Sequence, residues 1–344
     1  MSVRTQIINI ISNCATSERV TGPDKVFINT CKGFELIGQP YVVNRNLSDY
    51  SWNWIHDSVD ALIEVALRAI PAVIGPNLVV LPKDLPRYRP RLKGCIYLQP
   101  SEWALNLWRQ LGFSESILAI WPAGIDTSSF AAKEEKTSND QVLIYFKNRP
   151  PDLLSEVKAI VKNHHLVPNI ISYGDYTEEQ YRNLLAKCCF VIWLGCHESQ
   201  GIALQEALAA DVPMIVIDAK SLFDTYSKNG YTFQNTLRLF RTSSAPYFDS
   251  RCGIIIDEIT DLGNAIIKIK SELSGYNPRE YVIDQLSLEV SANKLVNIFN
   301  QLKVKNNKNK VDLNNRNEFR PSYGTRLIIK MNRAHNSIFA NHSK

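Results

Sequence analysis

The sequence predicts an α/β protein in two domains, on three observations. Short apolar runs of strand length alternate with stretches of helical periodicity, first over residues 6–121 and again from 141 onward. Between the two series lies a polar, strand-poor stretch, 126–140 (DTSSFAAKEEKTSND), expected to be the linker. Late in the second series, FVIWLGCHESQGIALQEALAADVPMIVID (190–218) is a complete strand–loop–helix–strand unit, the building block of a parallel sheet covered by helices.

At 344 residues the chain has room for two domains of ordinary size, and 45% apolar with 21% charged residues is globular composition. Its longest apolar runs, such as Val142–Phe146 and Phe190–Leu194, fall far short of the ~20 residues of a membrane span. The first twenty residues are expected to begin a strand and not to form a secretion signal. Seven cysteines without framework spacing suit buried free thiols in a reducing compartment, and no close pairs suggest a zinc site. Residues 303–344 hold ten Lys or Arg against two acids, a net of +8, so the rest of the chain is at −3 and the basicity belongs to the tail.

In the first domain (1–125), 6–12 is a strand, and a turn at Gly22 leads to a helix whose stripe Val26, Phe27, Thr30, Cys31, Phe34 ends at Gly38. Strand Tyr41–Val43 follows, then the aromatic stretch Tyr50–Trp54, then a helix from Asp57 to about Ala69. Ala72–Leu81 is an interrupted strand, 82–94 a basic Pro-rich loop, Cys95–Leu98 a strand, Ser101–Leu111 a helix and Ile117–Trp121 a strand. In the second domain (141–302), strands are expected at Gln141–Phe146, Asn169–Tyr173, Phe190–Leu194, Met214–Ile217 and Cys252–Ile256. Helices are expected at Asp152–Asn163, Thr177–Lys187, Gly201–Ala210, Ile259–Ser274 and from Pro278 to about Gln301, with 219–250 an inserted loop region. The Lys- and Asn-rich tail, 303–344, is expected to be disordered.

The chemistry concentrates in the loop after Phe190–Leu194. In parallel α/β sheets ligands bind outside the carboxyl ends of the strands. With Ser199 as helix cap, the N–H groups of Gly201 and Ile202 lie in the first turn and can face an anion, and Gly201 has no side chain to obstruct it. Glu198 sits just outside the helix and Glu206 about two turns in, roughly 10 Å along the axis. A phosphate flanked by two hydroxyl-bearing rings fits that spacing, and a nucleotide-sugar has that shape.

These residues, HESQGIALQEALAADVPMIV in a second strand–helix domain, resemble the E-x7-E motif of GT-B glycosyltransferases, in particular the retaining family 4. The resemblance implies two Rossmann-like domains facing each other across a cleft. It implies that Glu198 contacts the donor sugar as the catalytic residue, that Ser199, Gln200, Gly201 and Ile202 meet donor phosphate or sugar, and that Glu206 holds the ribose hydroxyls. It also implies that a basic residue after VLIYF, Lys147 or Arg149, neutralises the diphosphate, and that Gly174 lies near the base with Tyr173 or Tyr176. Gly22 stands where the family has a glycine-rich loop, though Pro23 replaces the second glycine, and His56 and Asn77 are candidates for the acceptor or sugar side.

The implied activity is transfer of a sugar from a nucleotide-sugar to an acceptor hydroxyl on a glycan, lipid-linked or protein acceptor, with retention. No cofactor is expected, nor any metal, since no paired-aspartate motif ends a strand. A cytoplasmic protein is expected, with the tail able to meet an anionic membrane surface. Two alternatives stand beside this: transfer onto nucleic acid with the tail steering, and a nucleotide-sugar-binding protein without catalysis.

Overall fold

The computed structural model describes residues 6–16, 21–79, 82, 92, 94–114, 117–131, 140–221 and 240–309, with backbone alone for 303–309. It divides into two compact units, residues up to Gly124 together with those from Ser291 on, and Ile125–Val290.

The first unit contains β1 (Ile8–Ile11), α1 (Gly22–Leu36), β2 (Tyr41–Val43), β3 (Trp52–Ile55), α2 (Val59–Arg68), β4 (Val73–Ile74), β5 (Ile96–Gln99), α3 (Glu102–Gln110) and β6 (Leu118–Ile120). Among the described residues its strands form one sheet in the order β2-β1-β3-β4-β5-β6, every pairing parallel. The stretch expected only to be aromatic is the central strand β3, and all four of its residues are buried. A polar residue can sit there because Asn53 is satisfied: Asn9 on β1 donates to it at 3.0 Å, and it donates to the Leu47 and Tyr50 carbonyls.

The second unit contains β7 (Gln141–Phe146), α4 (Pro151–Asn163), β8 (Val167–Ser172), α5 (Glu178–Leu185), β9 (Phe190–Leu194), α6 (Ile202–Ala209), β10 (Met214–Ile217), β11 (Gly253–Ile256), α7 (Leu262–Ser271) and α8 (Pro278–Leu286). Its described sheet runs β11-β10-β9-β7-β8, again all parallel. Alternate residues feed two cores. Leu143, Tyr145, Val191, Trp193, Met214 and Val216 pack on one face, Val142, Ile144, Phe190, Ile192, Ile215 and Ile217 on the other. Burial on both faces is why these strands read as unbroken apolar runs.

The expected helix from Pro278 is broken at Ser287, whose extended backbone (φ −58°, ψ 161°) ends α8 and starts α9 (Leu288–Asn309). The Ser287 hydroxyl then accepts the Val290 N–H at 3.4 Å. From Ser291 onward α9 belongs to the first unit, not the second: Phe299 stacks on Trp52 at 5.2 Å, and Trp121 Nε1 donates to the Ser291 carbonyl at 3.0 Å. Part of the expected linker is likewise folded. Asp126 accepts the Ser128 and Ser129 N–H groups, and Phe130 is buried in the core of the second unit. Residues 132–139, 222–239 of the inserted region and the tail from 310 lie outside the described residues. No described helix is long and apolar enough to cross a membrane.

Candidate functional site

In the second unit the chain lays β8 on one side of β7 and then β9 on the other, so sequence order reverses between β7 and β9. Such a switch point leaves a crevice at the carboxyl ends of the two strands. Register places Phe146 opposite Leu194, and the Lys147 N–H donates to the Leu194 carbonyl at 3.0 Å. The loops that follow, Lys147–Arg149 and Gly195–Gln200, therefore leave the sheet side by side.

Lys147 and Glu198 meet there. The ammonium lies 2.8 and 3.0 Å from the two carboxylate oxygens, with side-chain exposures of 17% and 11%. It also stands 4.3 Å over the Tyr173 ring. Burial disfavours both charges. For Lys147 the attraction of Glu198 overcomes it, so the lysine pKa is raised and the ammonium stays protonated. Burial pushes the Glu198 carboxyl up, with Lys147 pulling the other way. Glu198 is fixed by its backbone too, its N–H donating to the Ser243 carbonyl at 2.9 Å.

Arg149 makes different contacts from Lys147. It is 8% exposed and its Nη1 donates to the Gly195 carbonyl at 3.3 Å, which also accepts from Ser244 Oγ at 3.2 Å. Gly195 has no substitute: a Cβ there would lie 2.4 Å from Trp193 Nε1. That indole is itself fixed, stacked 4.0 Å from Tyr145 at 7°.

Helix α6 does not start as expected. Its cap is Gly201, at φ 84° and ψ 50°, and not Ser199, which is exposed. The chain turns into the helix through the left-handed region, which glycine enters without steric cost. The Gly201 carbonyl accepts from Gln205 at 3.0 Å, so the first-turn donors are the N–H groups of Ile202, Ala203 and Leu204. Gln200 turns inward, its amide donating to Gln205 Oε1 at 3.1 Å within the interior. Glu206 lies in the second turn of α6 and is 5% exposed. Tyr181 senses it: the phenol is held well above its usual range by burial first, then by Tyr176 and Glu206. Gly174 follows β8 at φ 89° with nothing within 4 Å of a Cβ position, and Tyr173 beside it is 57% exposed. Tyr176 is turned to the core, its hydroxyl 3.1 Å from that of Tyr145.

The remaining predicted residues belong to the first unit. Gly22 opens α1 in open space and is not at positive φ. His56 is fully buried, Nδ1 3.0 Å from Ser12 Oγ and Nε2 2.8 Å from the Asn77 amide. Burial lowers its pKa to about 4 against the pull of Asp57 and Asp24, so the imidazole is neutral. Sequence reasoning missed what surrounds it. Cys14 Sγ donates to Asp57 Oδ2 at 3.0 Å, and Asp24 caps Thr21 nearby, its Oδ2 accepting the Thr21 N–H at 2.7 Å. Cys14 and Asp57 are 43 residues apart and share no motif. Only the pairing of β1 with β3 brings them together.

No protein-family model matches the chain, and no curated protein matches it in sequence. Solved structures match it in fold. HepE of Anabaena in complex with UDP and glucose superposes with a TM-score of 0.53 at 12% identity, over 86% of this chain and all of that one. Sucrose-phosphate synthase of Thermosynechococcus elongatus gives 0.53 at 12% identity, over 87% and 99%. TarM of S. aureus gives 0.51 at 14% identity over 72% of this chain, which spans 55% of TarM. At these identities the likeness is one of fold, and with two parallel-sheet units it establishes two Rossmann-like domains of GT-B type.

Proposed function

We propose that this protein is a glycosyltransferase that moves a hexosyl or pentosyl group from a nucleotide-sugar to an acceptor hydroxyl, with retention and with no metal at the donor diphosphate. The observation that carries this is the switch point of the second unit, where Lys147 pairs with Glu198 in the loop that leads into α6, the helix that carries Glu206 in its second turn. The diphosphate takes Lys147 from Glu198 and accepts from the first-turn N–H groups, so charge developing on the leaving group meets an ammonium and a helix N-terminus. Glu198, released from its ion pair, accepts from the sugar hydroxyls. Glu206 accepts from the ribose, and Tyr173 and Gly174 leave room for the base. Arg149 acts by holding the Gly195 loop in place. HepE was solved with UDP and glucose, which is the ligand chemistry this site suits.

A panel of nucleotide-sugars, assayed with wild type, Glu198→Ala and Glu206→Ala, tests the proposal. Turnover of at least one donor is expected, lowered about 10- to 100-fold in kcat/KM by each substitution, as for loss of a hydrogen bond to a charged group. NMR of the product anomer reads retention. Folded variants with wild-type turnover would overturn the site. Tight donor binding with no turnover for any acceptor would leave a sensor of nucleotide-sugars.

A further inference from the structure

The first unit has a switch point of its own. Its order β2-β1-β3-β4-β5-β6 reverses between β1 and β3, and the loops that leave those two strands carry Ser12, Asn13 and Cys14 on one side and His56 and Asp57 on the other. Cys14 Sγ, a ring nitrogen of His56 and a carboxylate oxygen of Asp57 all lie within 4.8 Å of one another. Sγ is 3.0 Å from Asp57 Oδ2, and His56 Nδ1 is 3.9 Å from Asp57 Oδ1. Asp24, 4% exposed at the start of α1, turns its carboxylate to the same thiol. A thiol has one weak hydrogen to donate, and here two carboxylates face it.

We propose that Cys14, His56 and Asp57 bind a divalent cation of the zinc class, with the Asp24 carboxylate adding negative charge beside them. Thiolate, imidazole and carboxylate together suit Zn2+ better than the oxygen-seeking Mg2+ or Ca2+. Bonds of about 2.0–2.3 Å need ligand atoms some 3–4 Å apart, so atoms at the 4.8 Å limit close in by roughly 1–2 Å. On binding, the Cys14 proton leaves to solvent, and the thiolate and the Nδ1 lone pair go to the metal. The imidazole proton then resides on Nε2, where Asn77 receives it by turning its amide oxygen inward. Such an outer-shell acceptor is the usual support of a metal-bound histidine. Cys14 is half-buried and the Asp57 side chain is 12% exposed, so an ion can enter from solvent.

Cobalt tests this with the full-length protein after chelation and reduction. We expect about one Co2+ per chain, a thiolate-to-cobalt charge-transfer band, and displacement of the ion by Zn2+. Cys14→Ser should lose the band, and Asp57→Asn should bind Co2+ at least about 10-fold more weakly while keeping it. Circular dichroism and urea midpoints confirm that each variant is folded, and thiol counts confirm that the other six cysteines are reduced. A band that persists in Cys14→Ser overturns the proposal, as does cobalt bound without a band or not retained at all.

Discussion

The two switch points are built alike and equipped differently. Each lies between a first strand and the strand that reverses the order, β1 and β3 in one unit, β7 and β9 in the other. The second unit sets there an ammonium, a carboxylate and a helix entered through a left-handed glycine, the set on which the proposed phosphate and hydroxyl binding rests. The first sets there a thiol, an imidazole and two carboxylates, a set that repels phosphate and attracts a cation. The same backbone device thus yields opposite charge preferences. What decides ligand class is the side chains on the loops and not the fold, as expected where function resides in sites carried by common architectures.

The comparison can be broken first at the ion pair. Lys147→Met strands a buried carboxylate. Full removal of one partner from a buried pair costs about 3–5 kcal/mol, and partial exposure here brings that to about 1–3 kcal/mol at pH 7 in urea unfolding. Without the lysine, burial alone acts on Glu198 and raises its folded pKa further. A raised pKa gives stability that is full below the unfolded value and lost as pH rises through the folded one. The deficit of the variant relative to wild type should therefore shrink as pH falls from 7 toward 4.5, and a deficit that stays flat would deny the pairing.

Glycines sharpen the comparison at smaller size. Gly201→Ala, at φ 84°, should cost about 1–2 kcal/mol of stability, and Gly174→Ala, at φ 89° in open space, about 1 kcal/mol. Gly22→Ala in the first unit has neither positive φ nor a neighbour to meet, so its change should stay within about 0.5 kcal/mol. Thermal or chemical denaturation of the three reads the order directly. A costly Gly22→Ala would mean that α1 starts in a strained conformation after all.

Much of this was legible in the sequence where one stretch of chain carries the signal. Strands such as Gln141–Phe146 and Phe190–Leu194 are buried on both faces, and their boundaries follow from the apolar runs alone. Glu198, Gly201 and Glu206 are legible because a strand end and a helix start fix what lies near them, whereas Lys147 and Arg149 come only from the family resemblance, which does not choose between them. Three things were hidden. β3 was obscured by Asn53, whose partner Asn9 is on another strand. The true cap of α6 depends on a backbone angle that Ser199 and Gly201 do not reveal by type. The Cys14–His56–Asp57 group exists only through strand pairing. Likewise nothing local announces that the chain returns to the first unit after Val290. The aromatic Phe299 finds Trp52 across a sequence distance that no periodicity spans.

The central claim is that the second unit's switch point binds a nucleoside diphosphate and its sugar. Calorimetric titration of the full-length protein with a panel of nucleoside diphosphates and their sugar conjugates tests it most directly. The account predicts that at least one conjugate binds, adding about 2.7 kcal/mol of stability at 100 times its Kd, and that Lys147→Met and Glu206→Ala each weaken it about 10-fold or more. Absence of binding by every member of the panel, or equal affinity in the two variants, would contradict it.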